Sequence, residues 1–108
     1  MTPEQRYKAL VEAILSNSPS VKVDQGSGFG STGQLKVDGK IFAMLVRGRL
    51  VLKLPSDRVR AMVESGDGEP FDAGKGRPMR EWLALSPASR KPWLALAREA
   101  MGFVGRTP

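Results

Sequence analysis

The sequence contains no cysteine and no histidine, and these two absences exclude much of the common catalytic and metal-binding chemistry. Without cysteine the chain has no disulfide bond, no thiolate nucleophile and no thiolate zinc site. Without histidine it has no imidazole general base, no Ser-His-Asp triad and no imidazole metal ligand. We therefore expect a non-enzymatic protein that holds no cofactor and no metal.

Long apolar runs are missing as well. No segment approaches the roughly 18 apolar residues of a membrane span, and no uninterrupted apolar stretch of a signal peptide follows the N-terminus. These absences favour a cytoplasmic protein without a membrane partner. The chain has 108 residues, of which 41% are hydrophobic and 26% charged. This composition is ordinary for a globular protein, so we expect one domain over residues 1–108.

Apolar residues recur with helical spacing near both ends of the chain. At the N-terminal end, Thr2 and Gln5 match a capping box, and Pro3 suits the first position of a helix. At the C-terminal end, Ser89 is the expected N-cap and Gly105 follows the last apolar residue. The two apolar stripes consist of Tyr7, Leu10, Val11, Ile14 and Leu15, and of Trp93, Leu96, Ala97, Ala100, Met101 and Val104.

The centre of the sequence predicts three sequential strands, over 34–38, 40–46 and 50–54. Asp38-Gly39 and Arg47-Gly48 separate them, and such pairs favour tight hairpin turns, so the strands form an antiparallel meander. Residues 41–46 are uninterruptedly apolar, which predicts a central strand buried on both faces. Alternation at 21–24 also makes a short strand plausible.

The second half predicts a short helix followed by two strands. Ser56 is the expected N-cap of this helix, and Gly66 is a natural residue to end it. Strands are expected over 69–72 and 79–86. Together these elements predict a two-layer α+β domain, with helices packed on one face of a mainly antiparallel sheet.

Several segments, in this order and spacing, resemble the N-terminal domain of the TfoX/Sxy competence-regulator family. They are FGS at 29–31, LKVDGKIFAM at 35–44, GRLVLKL at 48–54, GEPFD at 68–72, MREW at 79–82, and Trp93 with LAREA at 96–100. The similarity covers roughly residues 5–104. The chain departs from the family at Ser31, which replaces a glycine, and in the loop between Phe29 and Leu35, which is one residue longer.

The resemblance implies an α-β(3)-α-β(2)-α fold, like that of secretion chaperones and the related YjbR-type domains. It implies a bacterial, cytoplasmic, regulatory protein without an established activity. Family members linked to competence usually carry a second, C-terminal domain, for which these 108 residues leave no room. The analogy with secretion chaperones makes a homodimer an open alternative.

The net charge of +6 is unevenly distributed, because two basic segments flank an acidic one at 61–74. A basic patch could bind nucleic acid through its phosphates or bind an acidic protein, and a solvated surface is the simpler alternative. The candidate nucleic-acid or anion contacts are Lys36, Lys40, Arg47, Arg49, Lys53, Lys75, Arg77 and Arg80.

Side chains of the strand predicted at 79–86 alternate between two faces, and Trp82 lies on the face opposite to that of Leu83 and Leu85. Either this parity faces the helices, or Trp82 is exposed on an open sheet face and contacts a partner protein or a second copy. Trp82 is therefore the candidate interface residue.

Two further patterns could bind ligands. Residues 28–33 match the glycine spacing G-x-G-x-x-G, but a strand rather than a helix follows, so a loop within the glycine-rich segment 24–34 is the better interpretation. The same applies to the glycine-rich loop 73–78. Asp67, Glu69 and Asp72 form an acidic cluster that is more typical of a charged turn than of a carboxylate metal or catalytic site.

Overall fold

The computed structural model describes residues 2–24, 33–71 and 81–106. These residues form three helices and six strands. The elements are α1 (Pro3–Asn17), β1 (Val21–Asp24), β2 (Gln34–Val37), β3 (Lys40–Val46), β4 (Arg49–Lys53), α2 (Ser56–Glu64), β5 (Gly68–Pro70), β6 (Trp82–Leu85) and α3 (Trp93–Arg106).

The six strands form one sheet in the order β1-β2-β3-β4-β6-β5, and every neighbouring pair is antiparallel. The expected meander is confirmed. Both tight turns place two successive residues at positive φ, with Asp38 and Gly39 at 53° and 78° and Arg47 and Gly48 at 52° and 79°. The short strand expected at 21–24 is β1, so the sheet has one strand more than the order implied by the family resemblance.

The helices and the sheet form two layers around one hydrophobic core, as the sequence predicts for an α+β domain. α3 packs on β3 and β4, α2 packs on β5 and β6, and α1 packs on β1 and α3. Arg6 of α1 places its guanidinium 4.1 Å from the ring centroid of Trp93 in α3. The largest fully buried side chains include Tyr7, Phe42, Leu52 and Leu83.

A β-bulge interrupts β3 and explains why its sequence is apolar without alternation. The register against β2 changes between Leu35 and Lys36, so that Phe42 is an extra residue on β3. Phe42 and the following Ala43 are both buried in the core, as a bulge that re-aims one side chain allows. The expectation of a strand buried on both faces is therefore wrong: Ile41 and Met44 are only half-buried.

Helix boundaries confirm some of the predicted caps and correct others. The capping box of Thr2 and Gln5 is present, and Gly66 adopts the positive φ expected after a helix. Ser56 is not an N-cap, because Pro55 takes that position without a side-chain bond. Ser89 is not one either, since α3 begins at Trp93 and the Ser89 hydroxyl donates to Asp67 instead.

Smaller corrections concern the ends of elements. Leu15, expected in the apolar stripe of α1, is 40% exposed. The strand predicted at 69–72 is β5 (Gly68–Pro70), and the one predicted at 79–86 includes β6 (Trp82–Leu85), with 79–80 outside the described residues. No helix in the described part of the chain is long and apolar enough to span a membrane.

The two edge strands of the sheet are short. β1 has four residues and carries the exposed Lys22, while β5 has three residues and ends at Pro70. Lysine and proline at sheet edges oppose pairing with further strands. Gly68 of β5 approaches β6 so closely that an added Cβ would lie 2.7 Å from the carbonyl oxygen of Ala84.

Candidate functional site

Because the helices cover one face of the sheet, the side chains on the other face are assigned by strand alternation. Leu50 and Leu52 of β4 and Leu83 of β6 belong to the helix-side core, so their neighbours along each strand lie on the opposite face. We call this opposite face the open face. Its described side chains are Lys22, Gln34, Lys36, Ile41, Met44, Val46, Arg49, Val51, Lys53, Glu69, Trp82 and Ala84.

The middle of the open face is apolar. Met44, Val51 and Ala84 lie opposite one another across β3, β4 and β6. Val51 is 1% exposed and Ala84 5% exposed, although neither belongs to the helix-side core cluster. The side-chain amide of Gln34 lies 3.9 Å from the sulfur of Met44. A second, shallow apolar layer is therefore present on this side of the sheet.

Arg49 crosses β6 on the open face. Its Nε and Nη2 atoms donate to the carbonyl oxygens of Leu85 and Ala84, each at 3.1 Å, and Nη1 forms an ion pair with Glu69 of β5. Arg49 thus ties β4 to β6 and β5. Its charge is balanced within the protein, which makes it a poorer anion contact than the sequence suggests.

Trp82 lies on the open face and not in the helix-side core. It pairs in register with Lys53, whose ammonium group lies 5.9 Å from the ring centroid of Trp82. This distance is within the range of a cation–π interaction. Trp82 is half-buried. Its role as an interface residue stays a prediction, and the surface concerned would be the open face.

The five predicted basic residues within the described part of the chain, Arg49 among them, do not all lie on the open face. Lys36 and Lys53 lie on the open face, whereas Lys40 begins β3 and Arg47 lies in the turn that follows its other end. The remaining three, Lys75, Arg77 and Arg80, fall outside the described residues.

Lys22 is the basic residue of the open face that the sequence patterns did not single out. It lies directly opposite Lys36, on β1 and β2 respectively. The alternation of Val21 and Val23 was the one available signal, since it puts Lys22 on the face away from the core. Its pairing with Lys36 depends on the register between two strands that residues 25–33 separate in the sequence.

The two members of the acidic cluster that the structure describes, Asp67 and Glu69, have separate partners. Asp67 accepts hydrogen bonds from the hydroxyls of Ser65 at 2.6 Å and Ser89 at 2.9 Å, and lies 3.8 Å from the ammonium group of Lys91. The hydrogen bonds from these two hydroxyls are the main reason why the pKa of Asp67 is lowered, and the positive charges of Lys91 and Arg58 lower it further. Glu69 lies on the open face with Arg49, and Asp72 falls outside the described residues. Within 2–24, 33–71 and 81–106, no group of three acidic side chains could hold a metal ion.

The one tyrosine is a core residue, as its place in the helical stripe suggests. The hydroxyl of Tyr7 donates to the carbonyl oxygen of Gly33 at 2.6 Å and lies 3.4 Å from that of Ala43. Burial raises the pKa of Tyr7, so the hydroxyl stays protonated. Of the glycine-rich segments, 25–32 and 73–78 lie outside the described residues, and the G-x-G-x-x-G pattern lies there except for Gly33.

Comparison of the chain with family models, with curated proteins and with solved structures finds no match.

Proposed function

We propose that this protein is a non-enzymatic binding or regulatory module that resembles the N-terminal domain of the TfoX/Sxy family, and that it works through the open face of its sheet. One observation supports this proposal above the others: in the described part of the chain, the buried residues of all three helices belong to one core cluster with one face of the sheet, and Val51 and Ala84 of the opposite face do not belong to it. The other face is left with half-buried apolar side chains beside Lys22, Lys36 and Lys53. Interfaces between proteins commonly combine an apolar centre with a polar rim.

The environments of the polar side chains favour binding over catalysis. Asp67 is engaged by two serines and Lys91, and the Tyr7 hydroxyl is buried against backbone carbonyls. Glu69 is paired with Arg49. A general acid or base has to reach its substrate at hydrogen-bond distance, and these three groups are instead committed to holding the fold together.

Amide chemical shifts of the labelled protein test the proposal. The probes are a single-stranded DNA oligonucleotide, an RNA oligonucleotide, an acidic amphipathic peptide and a basic amphipathic peptide. We expect at least one probe to shift amides of β2, β3, β4 and β6 in a saturable way. If all four probes leave these strands unchanged, or shift only the helices, the proposal is wrong.

A matched pair of variants tests whether the chemical-shift changes arise from binding to the open face. Met44→Lys adds a charge to the apolar middle of the open face, and Leu15→Lys makes the same type of change at an exposed site on α1. We expect Met44→Lys to weaken binding of the active probe and Leu15→Lys to leave it unchanged. Equal effects of the two variants would contradict a role of the open face.

Nucleic-acid binding is the second candidate function, and the cross-strand pair of Lys22 and Lys36 together with Lys53 favours it. Three lysine–phosphate contacts on a single strand would give a salt slope of about −2 in a plot of log K against log salt. Fluorescence anisotropy with labelled DNA and RNA over a salt series measures this slope. Weak binding at low ionic strength with little salt dependence would exclude this function.

A further inference from the structure

We propose that the open face binds single-stranded nucleic acid, with a base stacked on Trp82. This inference rests on the proposed function and names the partner of the same face. Trp82 is the middle member of a row that crosses three strands at one end of the sheet. Lys53 lies directly opposite it on β4. On the other side, Phe71, which follows β5, donates its backbone N–H to the carbonyl oxygen of Trp82 at 2.8 Å.

Phe71 continues the open face beyond the end of β5. Because Glu69 lies on this face, strand alternation also places Phe71, two residues further on, on the open face and opposite Trp82. Side chains that lie opposite each other in an antiparallel pair have Cβ atoms about 5 Å apart. Both aromatic side chains are half-buried, so part of each surface is accessible. The row therefore offers neighbouring aromatic side chains of the kind on which bases stack.

Lysines supply positive charge along the same direction. The Lys53 ammonium group lies 5.9 Å from the ring centroid of Trp82, near the outer limit of a cation–π contact. The flexible lysine stem lets this group turn to a phosphate while a base takes the ring. At the edge of the sheet, the exposed Lys22 lies on the same face of β1. Four strand spacings separate β1 from β6, or about 19 Å at about 4.8 Å each, which is room for several nucleotides.

Other ligands use only part of this arrangement. A quaternary ammonium group also stacks on aromatic rings, but Lys53 would repel it. A proline-rich peptide docks on aromatic side chains and gains nothing from the lysines, whereas an acidic peptide pairs with the lysines and leaves the rings without a flat partner. A duplex keeps its bases stacked inside. Only a single strand combines phosphates with bases that are free to stack on protein side chains.

The first experiment uses the full chain and four fluorescein-labelled ligands. They are a thymidine octanucleotide, a uridine octanucleotide, an abasic strand with the same phosphates as the thymidine strand, and a duplex. Fluorescence anisotropy should show saturable binding of a base-containing single strand, and the tighter of the two identifies DNA or RNA as the partner. The abasic strand should bind at least about tenfold more weakly, because it cannot stack. Equal binding of the thymidine, uridine and abasic strands would mean that only phosphates are contacted.

Tryptophan fluorescence reports stacking directly. The chain has two tryptophans, so Trp93→Phe leaves Trp82 as the single emitter and keeps an aromatic ring beside Arg6 of α1. We expect a saturating octanucleotide to quench this emission and the abasic strand to quench it much less. Unchanged emission when the anisotropy shows full binding would overturn the inference.

Variants of the row separate stacking from charge. Trp82→Ala should weaken binding by about tenfold or more, and Trp82→Phe, which keeps a ring, should restore most of the affinity. Lys53→Gln should reduce the slope of log K against log salt by about 1. Lys8→Gln removes the same charge at an exposed site on α1 and should leave affinity and slope unchanged. Circular dichroism shows whether each variant is folded.

The outcomes distinguish this inference from the proposed function. Equal affinity for strands with and without bases, or equal effects of Lys53→Gln and Lys8→Gln, would overturn the inference. If a peptide shifts the amides of the open face and neither oligonucleotide does, the face is a binding site but its partner is a protein. If no probe shifts these amides, both proposals are wrong.

Discussion

At the scale of single residues, Tyr7 shows how the helix layer fixes an irregular part of the sheet. Its hydroxyl reaches the carbonyl oxygens of Gly33, which immediately precedes β2, and of Ala43, which lies at the bulge of β3. A bulge disturbs the regular ladder of backbone hydrogen bonds. A buried carbonyl without a donor is costly, so the tyrosine from α1 stabilises the place where the sheet departs from its regular pattern.

Tyr7→Phe should lower the free energy of unfolding by about 1–3 kcal/mol, because it leaves two buried carbonyl groups without this donor while keeping the ring. Urea denaturation followed by circular dichroism measures the change. An unchanged midpoint would mean that these carbonyls have other donors.

The raised pKa of Tyr7 also predicts a pH dependence. Its stabilising effect should be complete below the unfolded-state pKa of about 10, and should be lost as the pH rises above that value toward the higher folded-state pKa. The control is Tyr7→Phe, which retains every lysine but lacks this titration. The stability difference between the two proteins should therefore shrink at alkaline pH, and a constant difference would contradict this assignment.

Asp67 predicts the opposite pH dependence. Hydrogen bonds from Ser65 and Ser89 lower its pKa in the folded state, so its contribution to stability is present above the unfolded-state pKa of about 4 and is lost as the pH falls through the folded-state value. Asp67→Asn should lower the urea midpoint at neutral pH, and this deficit should disappear in acid.

Glu64→Gln is the control for Asp67→Asn. Glu64 is exposed at the end of α2, and its replacement removes the same charge without removing the contacts to Ser65 and Ser89. A deficit as large in Glu64→Gln as in Asp67→Asn would show that net charge, and not the hydrogen bonds of Asp67, sets the effect.

At the scale of elements, the two hairpin turns have the same backbone geometry but unequal residues. Asp38 and Arg47 both have φ near 50°, a region in which Asn and Asp are enriched and a long side chain is strained. The turn before β3 therefore has a well-suited residue, and the turn before β4 does not.

Arg47→Asn should stabilise the protein by about 0.5–1 kcal/mol, because asparagine relieves the strain of the left-handed conformation. Arg47→Lys is the matched control: it keeps the charge and the strain and should change little. Chemical denaturation of the three proteins measures the effect. A loss of stability in Arg47→Asn would show that the exposed guanidinium contributes more than the turn geometry.

The elements also show how much of the fold can be predicted from the sequence. The helical stripes and the Asp38-Gly39 and Arg47-Gly48 turns are local patterns, and the structure confirms them. The bulge at Phe42 is not visible in the sequence, because an apolar run looks the same whether two strand faces are buried or one residue is inserted. Ser89 looks like a helix cap by type, but its hydroxyl bonds to Asp67, which is 22 residues away.

At the scale of the whole molecule, the candidate site depends on strand order more than on composition. The sequence places Lys36 and Lys53 on strands, yet only the pairing of β1 with β2 brings Lys22 beside Lys36. Similarly, the insertion of β6 between β4 and β5 puts Trp82 next to Lys53 and lets Arg49 reach Glu69. Such long-range pairings are determined by the packed core and cannot be obtained from periodicity.

The charge of the open face predicts the behaviour of the molecule in solution. We expect a monomer of 11.7 kDa at low ionic strength, because face-to-face association would oppose like charges that are weakly screened there. Sedimentation equilibrium at several protein concentrations measures the mass. A dimer at low salt that Met44→Lys dissociates would instead identify the open face as a homodimer interface.

The packing of α3 has a consequence for the order in which the protein can fold during synthesis. α3 is the last element of the described chain, and it packs on β3 and β4 in the middle of the sheet. Strands β1 to β4 can pair as soon as residue 53 has emerged, but the helix side of β3 and β4 stays exposed until residues 93–106 are available. During translation the nascent chain thus presents an apolar surface that its own C-terminal helix is the last to cover, which makes this interval the period when chaperones have most to bind.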